Sequence, residues 1–88
     1  MRIIIKTFGP EITGLIGRER VIDLNPSSTL DDLIRRLEED IKTNYGWTQR
    51  IMDSNFMILI NGRHAETLHD RILEDGDSVI ILSPIGGG

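Results

Sequence analysis

Leu30, Leu33, Ile34, Leu37 and Ile41 fall at i, i+3, i+4, i+7 and i+11, a spacing that draws one apolar stripe down a helix. Arg35, Arg36, Glu38 and Glu39 take the opposite side. Thr29 stands where a helix cap is needed, and Asp31 and Asp32 suit the positive end of the helix dipole. The helix should fade near Lys42–Asn44, before Gly46. A helix with one apolar face must lay it on something. In 88 residues that something is a sheet built from the short β-rich runs on either side.

Those runs can be placed. Arg2 to Phe8 is rich in β-branched residues and Gly9-Pro10 ends it, which reads as a strand. Residues 9–18 hold three glycines and a proline and read as a loose hairpin loop, with Glu19 to Leu24 as the return strand. Phe56 to Ile60 is a strand, and Asn61-Gly62 is a strong hairpin signal. Leu68 to Glu74 has room for a short helical turn. Asp75-Gly76-Asp77 forms a second turn before a last strand, Val79 to Leu82, that Pro84 stops. The order is strand, strand, helix, strand, short strand, strand, an α+β roll with one main helix.

Size and composition bound the chemistry. A chain this short buries about 60–65% of its unfolded surface, so one small core is expected and no large enclosed active site. Without cysteine there is no disulfide, no thiol nucleophile and no thiolate metal site. No apolar run approaches the roughly 20 residues that span a bilayer, and Met1–Lys6 is too short for a signal-peptide core. A net charge of −4 disfavours nucleic acid, which needs a basic face. A cytoplasmic protein with neither membrane nor nucleic-acid partner is expected.

Three segments carry a resemblance: Ile60-Asn61-Gly62, Leu73-Glu74-Asp75-Gly76-Asp77-Ser78-Val79 and Leu82-Ser83-Pro84-Ile85-Gly86-Gly87-Gly88. With the opening strand and the order of elements, they resemble the ubiquitin-like β-grasp proteins, and among these the sulfur carriers related to the small subunit of molybdopterin synthase. Ser83 stands where that family often has a proline, and Gly86 extends the glycine pair to three. The resemblance implies a β-grasp roll with a mixed four- to five-stranded sheet over residues 1–83 and a flexible Gly-rich tail at 84–88. It also implies a carrier that is not itself an enzyme. An ATP-dependent adenylating enzyme would activate the Gly88 carboxylate, a sulfur donor would convert it to a thiocarboxylate, and sulfur would pass on in molybdenum cofactor biosynthesis beside a molybdopterin synthase large subunit. The chain itself would bind no cofactor; ATP belongs to the activating partner.

The residue types suit that chemistry. The reacting carbon of Gly88 must reach the bottom of a narrow channel, so it and Gly87 carry no bulk and let backbones approach closely. Pro84 has its φ already fixed and limits the entropy lost when the tail orders. Ile85 can sit in an apolar slot and Gly86 lengthens the arm. Read from composition alone, three terminal glycines are also what a frayed end looks like.

Strand alternation sorts the sheet's side chains. Ile3, Ile5, Ile58, Ile60, Val79 and Ile81 should meet the helix. The opposite face then carries Ile4, Met57, Leu59, Ile80 and Leu82, an apolar patch of the kind that marks partner surfaces. A register slip, or residues 44–54 folding over with Trp47 as a lid, would explain the same pattern. Tyr45 and Trp47 read as packing residues. His64 and His69 read as exposed polar residues and not metal ligands, since a metal would want more partners. Other functions stay open: a modifier joined through Gly88 to lysines of other proteins, a sulfur carrier for thiamine or tRNA thiolation, and an adaptor whose tail is irrelevant.

Overall fold

A computed structural model describes residues 1–46, 51, 56–64 (His64 by its backbone alone) and 71–82. Its elements are β1 (Arg2–Phe8), α1 (Pro10–Ile16), β2 (Glu19–Asp23), α2 (Leu30–Tyr45), β3 (Met57–Ile60), β4 (Arg63–His64) and β5 (Ser78–Leu82). The strands form one mixed sheet in the order β2-β1-β5-β3-β4. β1 and β5 run parallel at its centre; the other pairs are antiparallel. This is the expected β-grasp arrangement, with five strands.

α2 supplies the stripe that the spacing predicts. Leu30, Leu33, Ile34, Leu37 and Ile41 are all buried and share one core with Ile3, Ile5, Ile58, Ile60, Val79 and Ile81. The helix starts at a full capping box: the Asp32 N–H donates to Thr29 Oγ1 at 3.2 Å, and the Thr29 N–H donates to Asp32 Oδ2 at 2.9 Å. It ends at Gly46, whose φ of 70° gives the left-handed turn a side chain would resist. The Arg20 guanidinium of β2 reaches Asp40 of α2 at 2.7 Å.

Residues 9–18 are not a loose loop. They hold α1, two turns long, because Pro10 sits at the first helical turn, where its missing N–H removes no bond. Gly9 and Gly17 lie just outside the ends, with φ of 110° and 101°. Ile12 and Ile16, four apart, are buried, so α1 closes one end of the core against β1 and α2. Thr7, buried in β1, donates to the Gly17 carbonyl at 2.5 Å and pairs with the Thr13 hydroxyl at 3.0 Å.

The helical turn expected within Leu68 to Glu74 is absent from the part that is described, residues 71–74; 68–70 lie outside the described residues. Ile72 instead bridges Thr29. The Leu30 N–H donates to Arg71 O at 3.0 Å and the Leu73 N–H to Ser28 O at 2.8 Å. The segment thereby satisfies a helix-start donor that would otherwise lack a partner. Asn61 and Gly62 both have positive φ, 50° and 82°, as a primed hairpin turn demands.

Two of the recognisable sequence segments meet in space. Asp77 is buried, and its Oδ1 accepts from Asn61 Nδ2 at 2.9 Å while Oδ2 accepts from the Glu74 N–H at 2.8 Å. Asn61 Oδ1 in turn accepts from the Ser78 N–H at 2.9 Å. Replacing Asp77 with Ala strands an amide and a backbone donor, which should cost about 2–4 kcal/mol in urea unfolding. Asp75→Ala, at the exposed turn position, should cost about 1 kcal/mol.

The Thr29 backbone N–H, then its hydroxyl, hold the Asp32 carboxyl below its ordinary value of 3.8. A carboxyl with a lowered folded value stabilises fully above its unfolded value and loses that contribution as pH falls through the folded one. Acid titration of thermal stability below that ordinary value should therefore fall more steeply for the wild type than for Asp32→Asn.

Candidate functional site

α2 covers one face of the sheet, and the opposite face can be built strand by strand from the registers. Ile4 pairs with Val21 of β2, Lys6 with Glu19 of β2 and Ile80 of β5, and Phe8 with Leu82 of β5. Leu82 pairs with Met57 of β3, and Ile80 with Leu59. Paired residues share a face, so all five side chains expected there, Ile4, Met57, Leu59, Ile80 and Leu82, come together. Met57 is 43% exposed and the other four are half-buried.

Two further members extend the patch beyond the expected five. Phe8 is 55% exposed and Val21 51%. Phe8 is the next even position after Ile4 and Lys6, at the end of the expected strand Arg2 to Phe8. Val21 was harder, since Val21-Ile22 offers either residue to the core.

Trp47, the proposed lid, lies outside the described residues. Ile51 is described, and it belongs to the core on the helix side: it is fully buried, and its N–H donates to Glu38 Oε2 of α2 at 2.5 Å. Tyr45 ends α2 at 60% exposure, so it is a surface residue and not the packing residue expected.

β5 ends at Leu82, flanked by Phe8 on one side and Met57 on the other. The chain thus runs on toward Pro84, Ile85, Gly86, Gly87 and Gly88 from the middle of the sheet, at the exposed corner of the apolar patch. Those five residues, and His69, lie outside the described residues. Beside this corner, where β1 passes into α1, an open notch is lined by Lys6, Phe8, Pro10, Thr13, Arg18 and Glu19. Among the described residues no group of three or more acidic or histidine side chains could hold a metal, and no helix is long and apolar enough to cross a membrane.

Comparison with known proteins agrees with this architecture. The ThiS family model matches residues 8–88. An uncharacterized protein of Archaeoglobus fulgidus is 32% identical over 69 residues, which are 76% of this chain and 74% of that one. Among solved structures, the chain is similar to a putative molybdopterin converting factor subunit 1 from Pyrococcus furiosus, with TM-score 0.73 and 24% identity over 96% of this chain and 98% of the other. It is similar to SAMP1 from Haloferax volcanii at TM-score 0.72 and 19% identity, with both chains fully covered. A complex of subunits 1 and 2 of molybdopterin-converting factor from Helicobacter pylori gives TM-score 0.57 and 24% identity, again over the whole of both chains. At these identities the structural matches establish the fold.

The two faces of β5 predict opposite responses to truncation. Ile81→Ala, at a fully buried position, should lower unfolding free energy by about 2–5 kcal/mol. Ile80→Ala, one residue away on the half-buried face, should cost under about 1 kcal/mol. Urea unfolding of both variants measures the difference, and equal losses would mean the face is covered.

Proposed function

The chain belongs to the ThiS family of ubiquitin-like sulfur carriers, and on that footing we propose that Gly88 carries sulfur for molybdenum cofactor biosynthesis. Residues 1–83 are the folded unit and 84–88 the arm. The Gly88 carboxylate attacks the α-phosphorus of ATP on an adenylating enzyme and pyrophosphate leaves. Sulfide, as HS−, then attacks the acyl carbon, AMP leaves and the sulfhydryl proton is lost to water. The resulting thiocarboxylate, a soft nucleophile, delivers sulfur within a molybdopterin synthase large subunit. The chain contributes no catalytic group of its own, and ATP is held by the partner.

The observation that carries this reading is the position of Leu82. β5 is bonded on both edges, by β1 and β3, so the arm is rooted in the firmest part of the sheet. From Leu82 the six residues to Gly88 reach about 20 Å when extended, enough to enter a deep channel. Pro84 shortens the list of conformations the arm must give up, and Gly86, Gly87 and Gly88 keep it narrow.

The apolar face beside the root is the docking surface. Ile4, Met57, Leu59, Ile80 and Leu82, with Phe8, would be covered by either partner in turn. Full burial of a large apolar side chain contributes roughly 1.5–3 kcal/mol. Completing the burial of several half-exposed ones gives several kcal/mol, a useful fraction of the association cost. The Helicobacter pylori complex supports a large-subunit partner, and the Pyrococcus furiosus neighbour supports the same pathway. A second reading, conjugation through Gly88 to lysines of other proteins, draws on the likeness to SAMP1, a small archaeal modifier protein.

Intact-mass measurement of protein purified from its own host should show one terminal oxygen exchanged for sulfur. Deleting Gly88 should abolish that species, and Gly87→Val should slow adenylation by on the order of 100-fold, since misplacing the reacting carbon by about an ångström has that effect. A ladder of conjugates lost on deletion of Gly88, with no sulfur exchange, would select the modifier reading. Unchanged partners after removal of Gly87 and Gly88 would eliminate both.

A further inference from the structure

The outer face is apolar at its centre and charged toward β2, where Arg2 pairs with Asp23 and Lys6 with Glu19. Lys6 is exposed, lies between Ile4 and Phe8 along β1, and faces Ile80 of β5 on one side and Glu19 of β2 on the other. Its register partner Glu19 is within reach, yet the ion pairs of the described residues lie elsewhere, on Arg20, Arg35 and Arg36. Arg18, which lines the same notch as Lys6 and Glu19, is likewise without an ion pair among the described residues. Two cations and one carboxylate leave the notch at +1 (2 − 1), on a chain whose net charge is −4.

A protein that covers Ile80, Leu82 and Phe8 must also cover the stem of Lys6, which lies among them. The stem welcomes this, being apolar. The ammonium does not, because it loses water and gains nothing unless an anion meets it. We infer that the notch is the selectivity element of the docking face and receives an Asp or Glu side chain of the docking protein. This rests on the outer face being the partner surface. One carboxylate matches the local +1, whereas Glu19 and the overall negative charge repel a phosphate or a polyanion. Phe8 and Pro10 at the rim exclude water from the pair and strengthen it. The notch then favours partners with an acidic residue at this point and rejects those with a basic one, steering association through its charge and slowing dissociation once the pair is covered.

The chain has two lysines, Lys6 and Lys42, and Lys42 sits exposed on α2, away from this face, so acetylation can be read site by site. With the host's adenylating enzyme bound, Lys6 should be protected and Lys42 should react as in the free protein. Lys6→Glu and Arg18→Glu should each slow association with that enzyme by on the order of tenfold at low salt and flatten its salt dependence. Lys6→Arg should bind as wild type. Circular dichroism and urea unfolding check that the variants are folded. If Lys6→Glu associates at the wild-type rate with wild-type salt dependence while Ile80→Asp abolishes binding, the notch has no such role and the docking face stands. If Ile80→Asp binds undiminished, the docking face itself is wrong and the notch falls with it.

Discussion

The carboxylate of Asp77 joins parts of the chain that are far apart in sequence. It holds the Asn61 amide of the β3–β4 turn and the Glu74 N–H, and the Asp77 backbone carbonyl accepts from the Ile4 N–H at 3.0 Å. Just before it, Gly76 donates to Arg2 O at 2.8 Å and Asp75 accepts from the Arg2 N–H at 2.6 Å. A charge buried this far is expensive unless fully bonded, and among the described residues no buried side-chain polar atom lacks a partner. β5 begins at the next residue, so this clasp sets its register against β1 and β3 together. A slip of one residue would turn Val79 and Ile81 outward and Ile80 and Leu82 inward, exchanging the core for the outer face.

That fixed register lets a small protein have two apolar faces with different fates. The inner one is closed by α2, α1 and Ile51, and is finished within the chain. The outer one is the docking surface of the proposed function. Its side chains are mostly half-buried by their own sheet neighbours, so apolar area remains for a partner of the proposed kind to cover. Lys6 and Arg18 lie at the corner nearest the arm, so charge and apolar area converge where Leu82 hands the chain on.

Periodicity made most of this legible. The α2 stripe, its Thr29 cap, the Asn61-Gly62 turn and every predicted core residue of β1, β3 and β5 are where alternation puts them, because burial on one side imposes a regular period. α1 was missed because its glycines and proline were counted as breakers, when Pro10 occupies the one part of a helix that tolerates it and only Gly14 lies inside. With two buried residues, Ile12 and Ile16, it is too short for a periodic signal to emerge. Ile51 was invisible for a related reason: a lone apolar residue in an irregular segment has no pattern around it. The five expected outer-face residues could be read from alternation, whereas Phe8 and Val21 needed the register of their neighbours. Pro84–Gly88 is the reverse case: it is plain as sequence and lies outside the described residues.

The central place of β5 has a mechanical consequence. Under the proposed function, an enzyme that drew the arm into its channel would pull along the axis of a strand bonded on both edges. Such a load is shared across two ladders in shear, and the bonds must fail together and not one after another. An edge strand with a single ladder, such as β2, would peel more readily under the same pull. On that proposal, rooting the arm between β1 and β3 would let it be gripped, turned over and released without unravelling the sheet from which it leaves.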